Sequence, residues 1–158
     1  MKYAYIRTHE RRLYLAIVPD LFSRQIVGGA MPSSLHTEGV LQAGMMAVWR
    51  RKPSAELRVH SDQDTQFTGH DWQAFLKGHG LVSSMSRRGN CPDNAVAESV
   101  FPWLKHQRIK RKISVTRDAA KSDVFNYIAM FYNTQRQYGY NGGLSPVAFE
   151  KRFSKRDY

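Results

Sequence analysis

Residues 57–67 read LRVHSDQDTQF, a short apolar run that breaks into His60, Ser61 and the acids Asp62 and Asp64. The run itself has the length and composition of a strand. Two readings of Asp62 compete. Asp and Ser favour turns because their side chains bond nearby backbone groups, so Asp62 can simply close the strand. Alternatively it is a metal ligand, because ligands of open α/β sheets collect at the carboxyl ends of strands. The rest of the chain has to decide.

Lys and Arg total 24 against 13 Asp and Glu in 158 residues, a net charge of +11. Such an excess points to a polyanionic partner, nucleic acid first, because basic side chains release condensed counterions from phosphates. A merely soluble basic protein is the competing reading. An apolar fraction of 42% suits one globular domain with a sizeable core and excludes a disordered chain. The single cysteine, Cys91, excludes an internal disulfide and a cysteine-based zinc site, and fits a reducing cytoplasm. No apolar run is long enough to span a membrane, and Met1-Lys2-Tyr3 leads straight into strand-like sequence without a signal-peptide pattern.

Outward from residues 57–67, the pattern is mixed. YAYIRT, RRLYLAIV and RQIVGGAM in the first 31 residues read as three short antiparallel strands, with a break at Pro19-Asp20. LHTEGVLQAGMMAVWR (35–50) places Val40, Leu41, Met45, Val48 and Trp49 at helical spacing. GHDWQAFLKGHG reads as a helix closed by Gly80, and LVSSM as a fifth strand. A polar loop SRRGNCPDN precedes a helical stretch from Asp93 towards Lys112. A last helix is predicted from Thr116, as N-cap, to Gln137, with Val124, Tyr127, Ile128, Phe131 and Tyr132 as its apolar stripe. YNGGLSP then reverses the chain before a short tail. This order predicts an α/β fold: a five-stranded mixed sheet, three strands antiparallel and the others parallel, with helices on both faces. Trp49, Trp72, Phe75, Phe131 and Tyr132 are the expected core aromatics, and Tyr138 and Tyr140 the anchors of the last turn.

Four motifs, HSDQ (60–63), SMSRRGNC (84–91), DNAVAES (93–99) and YNGGLSPVAFE (140–150), follow in order, and LYLAIVPDLFSRQIVG (13–28) precedes them. Together they closely resemble the catalytic core of bacterial insertion-sequence transposases, members of the retroviral-integrase superfamily with an RNase H-like fold. The resemblance covers essentially the whole chain and treats 1–158 as one catalytic-core domain without the N-terminal DNA-binding helices. It implies an enzyme class that cuts and joins DNA: two aspartates and a glutamate hold two divalent cations, normally Mg²⁺, with Mn²⁺ as substitute. Hard cations prefer oxygen donors, and a pair roughly 3.5–4 Å apart clamps the attacking and leaving oxygens of an in-line displacement. Water first releases a 3′-hydroxyl at the transposon end, and that hydroxyl attacks target DNA. On this resemblance Asp62 is the second acid and Glu98 the third, with residues 63–97 between them, the family spacing.

The first acid is missing. Matching YIRT puts its position on Lys2, whereas matching MKY puts it just before Met1; in both registers the chain offers no aspartate. Asp20 aligns with a family acid that is not one of the three ligands. Asp64 and Thr65 replace the usual Gly-Ser after HSDQ, Gly29 replaces a tryptophan, and Pro102 falls four residues after Glu98, where its ring would clash with the Glu98 carbonyl inside a helix. The expectation is a truncated or decayed copy that folds but does not transpose.

The resemblance places Arg87, Arg88 and Asn90 in a basic loop flanking the active site. Lys105, Arg108, Lys110 and Arg111 follow on KHQRIKRK, suited to phosphate contacts; a solvated turn and a charged solvent face are the bland alternatives. His60 is expected to be structural rather than an aid to the metal. Two functions remain: a metal-dependent DNA-transposing core whose missing first acid reflects only where the chain was started, or a non-catalytic DNA-binding fragment that associates with intact transposase, or with itself, and inhibits. A basic RNA-binding module is a distant third. A bacterial cytoplasmic, nucleoid-associated location follows from the family.

Overall fold

A computed structural model describes residues 1–34, 36–53, 56–61, 65–85, 102, 115–139 and 141–154. Strand β2 (Arg12–Pro19) sets the architecture. Leu13, Leu15 and Ile17 point into one apolar cluster, while Ala16 and Val18 face another. A strand apolar on both faces needs cover on both. β1 (Lys2–Arg7) pairs antiparallel with β2, Lys2 opposite Ile17 and Arg7 opposite Arg12. β3 (Ile26–Ala30) pairs antiparallel on the other side, with a bulge at Val18/Pro19.

Helix α1 (Thr37–Arg51) buries Gly39, Val40, Ala43, Gly44 and Ala47; Ala43 and Ala47 lie on β3, and Gly44 faces Trp72 and Phe75. The approach is close: a Cβ on Gly28 of β3 would sit 2.2 Å from the Ala43 carbonyl oxygen. This corrects the predicted stripe, because no large side chain fits between strand and helix at that distance. Val40 is fully buried, but Met45 and Trp49 face solvent, Trp49 at 76% exposure. Of the expected core aromatics, Trp72 and Tyr132 are buried, and Phe75 and Phe131 pack against the clusters from partly buried positions.

β4 (Leu57–Ser61) and β5 (Leu81–Met85) pair in parallel, Leu57 opposite Leu81 and Ser61 opposite Met85. The crossover holds a single turn, α2 (Thr65–Thr68), and α3 (His70–Gly78), after which Gly80 takes a φ of +65°. Trp72 stacks on Phe75 at 5.3 Å and meets Phe67 edge-on at 5.8 Å. The antiparallel and parallel sheets meet where the Met1 main-chain nitrogen donates to the His60 carbonyl at 2.5 Å.

The opposite face is covered by α4 (Arg117–Asn126), capped by Thr116 Oγ1, which accepts from Ala119 N–H at 3.1 Å. A π-helical turn, Tyr127–Tyr132, continues it. Val124, Tyr127, Ile128 and Tyr132 from this segment join Leu13, Leu15 and Ile17 in one cluster, as the predicted stripe requires. The regular helix ends before Gln137 because the wide turn delivers Asn133 to β3: its side-chain amide accepts from Ile26 N–H at 2.9 Å and donates to Ile26 C=O at 3.0 Å. After the reversal at Gly142 and Gly143 (φ +65° and +78°), the expected tail is instead a helix, α5 (Pro146–Ser154). Ser145 Oγ accepts from Ala148 N–H, and Pro146 takes the first helical position, where its missing donor costs nothing. The helix predicted from Asp93 to Lys112 lies outside the described residues apart from Pro102.

Candidate active site

Parallel pairing brings the carboxyl ends of β4 and β5 to one level, at Ser61 and Met85. Asp62 follows Ser61 in sequence, and the basic loop with Arg87, Arg88 and Asn90 begins just after Met85. Asp62, Glu98, Arg87, Arg88, Asn90, Lys105, Arg108, Lys110 and Arg111 all lie outside the described residues. The described structure therefore fixes the platform from which the candidate ligands leave. Among the described residues no group of three His, Cys, Asp or Glu side chains could hold a metal ion.

β1 belongs to the antiparallel sheet and reaches β4 through the Met1–His60 bond. Its first residue beyond the Met1–His60 bond is Lys2, and the strand KYAYIR carries no carboxylate. His60 lies opposite Ser84 in the β4–β5 register, and its Nδ1 faces Ser84 Oγ at 3.4 Å, a link between neighbouring strands. Ser61 is buried, and its hydroxyl has no hydrogen-bond partner among the described residues.

Asp20, the acid set apart from the metal set, does structural work. Its Oδ1 accepts from the main-chain N–H groups of Phe22 (2.8 Å) and Ser23 (3.1 Å), closing the turn after β2, and its Oδ2 lies 3.2 Å from Arg51 Nη2. Arg51 also pairs with Glu150 of α5. Partial burial works against the guanidinium charge, but the hydrogen bond and charge of Glu150, with Asp20, outweigh it and hold Arg51 protonated. Nothing in the sequence joins residues 20, 51 and 150.

A cavity of about 480 Å³ lies beside this network, walled by Met1, Val18, Val59, Trp72 and Phe75 among others. Sequence reasoning missed it, because a gap between two strands leaves no periodic signal.

Residues 1–91 match the integrase core domain family, and residues 98–153 match a second family of the same description. The chain belongs to the integrase core domain family. This integrase core is 43% identical over 148 residues to the transposase InsF for insertion sequence IS3A of Escherichia coli K12, covering 94% of the chain and 51% of that protein. The transposase for insertion sequence element IS904 of Lactococcus lactis is 41% identical over 147 residues, covering 93% of the chain and 58% of the relative. The chain thus spans between half and three-fifths of the length of these relatives.

Solved structures with the same fold include the catalytic core domain of BIV integrase, at a TM-score of 0.65 and 18% identity over 98% of this chain and 95% of that one. The HTLV-2 integrase catalytic core domain in complex with magnesium aligns at a TM-score of 0.69 and 12% identity over 94% and 91% of the two chains. The RNase H-like fold implied by the motifs is therefore this integrase core's fold.

Proposed function

We propose that this integrase core cuts and joins DNA strands as part of a transposase, and that the chain as it stands is deficient in holding the divalent metal that such chemistry needs. Strand β1 carries the reading. It enters beside the end of β4 that leads into Asp62, yet Lys2–Arg7 contains no carboxylate. The Met1–His60 bond favours the register in which Lys2 stands where the first acid would be. Asp62 and Glu98 would hold Mg²⁺ or Mn²⁺, and the metal when bound would stabilise charge developing at a phosphodiester. A lysine at the first acid's position offers no lone pair while protonated and repels a cation.

Arg87, Arg88, Asn90, Lys105, Arg108, Lys110 and Arg111 would position DNA through its phosphates, in keeping with the net charge of +11. A chain that binds DNA without holding metal well would also act as a non-catalytic fragment, occupying transposon ends or assembling with intact transposase in the bacterial cytoplasm.

Calorimetry with Mg²⁺ and Mn²⁺ tests the reading. The unaltered chain should bind at millimolar concentrations or not at all, and Lys2→Asp should tighten binding by about tenfold or more, roughly 1.4 kcal/mol. Both chains should bind DNA, with affinity falling steeply as salt rises. Tight binding of two metals by the unaltered chain would refute the deficiency, and absence of DNA binding would refute the function.

A further inference from the structure

The hairpin of β1 and β2 breaks a rule of strand pairing at its tip. Arg7 stands directly opposite Arg12, and residues so placed direct their side chains to the same face, with Cβ atoms about 5 Å apart. Ile6 and Leu13 point the other way, into the cluster beneath α4. Both arginines are exposed. Like charges facing each other across a ladder are destabilising, and local rules of this kind are broken chiefly where function requires it.

Residues 7–12 read RTHERR, so Arg11, also exposed, adds a third guanidinium in the connecting loop. That loop is held in shape. Thr8 N–H and Thr8 Oγ1 both donate to the Arg11 carbonyl, at 3.2 and 2.6 Å, and Thr8 Oγ1 accepts from Arg11 N–H at 3.1 Å. Glu10, the loop's one acid, turns its Oε2 to Arg117 N–H at 3.0 Å, where the N-terminus of α4 favours a carboxylate. Strand pairing thus fixes the hairpin at its base, and α4 anchors its tip.

We propose that the β1–β2 hairpin tip is a DNA-backbone contact, at which Arg7, Arg11 and Arg12 bind phosphates of duplex DNA away from the candidate metal platform. The inference rests on the DNA reading above and extends it to a surface that the motifs do not mark. β1 gives the reach: six residues at about 3.3 Å each carry the tip roughly 20 Å from the Met1–His60 contact. A duplex rising about 3.4 Å per base pair covers that distance in about six base pairs. A helix seated on the platform and lying along β1 therefore meets the tip within one turn. Guanidinium groups suit phosphate oxygens because they offer paired N–H donors. A phosphate between Arg7 and Arg12 also turns their mutual repulsion into a shared attraction. Contacts of this kind position DNA without reading its sequence.

Anisotropy of a labelled duplex of about 20 base pairs, titrated with the full chain at several salt concentrations, tests the proposal. Replacing all three arginines (Arg7→Gln, Arg11→Gln and Arg12→Gln) should weaken binding about tenfold or more near 0.1 M salt. It should also reduce the slope of log K against log salt by about two to three, since each lost phosphate contact removes about 0.9. A control of equal charge loss on α1 and α5, Arg50→Gln with Lys151→Gln and Arg152→Gln, removes exposed side chains and should change the slope by less than about one. Arg7→Glu gives an independent readout. It puts a carboxylate opposite Arg12, so it should weaken DNA binding while raising Tm by about 1–4 °C, whereas arginines that served only the fold would cost stability when replaced. Equal effects of the triple variant and its control, or an Arg7→Glu chain that melts lower and binds DNA as the parent does, would overturn the proposal and leave the DNA reading standing. Absence of DNA binding by the unaltered chain would overturn both.

Discussion

Among the described residues, the layer between β1–β3 and the α4 segment is closed, whereas strands β4 and β5 are more exposed. In the first, Leu13, Leu15 and Ile17 are wholly buried, and the Asn133 amide satisfies both main-chain groups of Ile26. In the second, Leu57 and Val82 are partly exposed, a cavity lies between β4 and the end of β2, and lining side chains hold polar atoms with no hydrogen-bond partner among the described residues. β4 (LRVHS) and β5 (LVSSM) carry a larger share of polar residues than β2 (RLYLAIVP), so composition contributes to the contrast. Strand pairing adds to it: β2 is paired on both sides, while among the described residues β4 forms a ladder with β5 alone.

The contrast predicts unequal costs for the same kind of truncation. Leu15→Ala, in the closed layer, should lower stability by about 4 kcal/mol, the range for a fully buried leucine. Val59→Ala, on the cavity wall, should cost less than about 1.5 kcal/mol, because its surroundings are already incomplete. Urea denaturation followed by circular dichroism measures both, and equal costs would break the comparison.

Asn133→Ala should cost about 2–3 kcal/mol in the same assay, since it strips two partners from a buried strand edge. A loss near zero would mean that Ile26 is paired in another way.

A smaller effect separates the layers by pH. Burial first, then the neighbouring Tyr138, raises the Tyr132 phenol well above its ordinary value of 10.0. Burial likewise raises Tyr138, whose hydroxyl donates to Tyr132 at 2.5 Å while the Arg136 guanidinium lies over both rings and opposes the shift. Above about pH 10 the unfolded tyrosines release protons that the folded ones retain, so stability should fall as pH rises from there. Thermal melts from pH 8 to 11 should show that decline, and Tyr132→Phe should flatten it.

The smallest effect belongs to Trp49. Despite its size, Trp49→Ala should change stability by no more than about 0.5 kcal/mol, because the ring stands in solvent. A larger loss would show that something covers it in solution.

Trp49 also marks a limit of reading by periodicity. Its spacing with Val40, Leu41, Met45 and Val48 is helical, and the helix is there, but the face turned to the core is chosen by Gly28. A glycine in β3 admits the helix so closely that small residues, Ala43 and Ala47, lie against it, while Gly44 makes room for Trp72 and Phe75. The α4 stripe was legible because large residues at Val124, Ile128 and Tyr132 meet large residues on β2, and size and burial then agree. Helix α5 has a local signal in Ser145-Pro146 beside an apolar, charged run, but the Gly142-Gly143 reversal just before it has the pattern of a terminal turn.

For the candidate site, sequence names Asp62, Glu98 and the basic residues by motif and spacing, and it already shows that residues 2–7 contain no aspartate. The order of strands and helices, the family and the charge of +11 follow equally from local pattern, because each depends on neighbours in sequence or on a simple sum. Tertiary structure alone decided that the main chain of Met1 meets the end of β4 at His60, that Asp20 belongs with Arg51 and Glu150, and which face of α1 turns to the core. Each of these is a relation between elements far apart in the chain, for which no single stretch of sequence carries a mark.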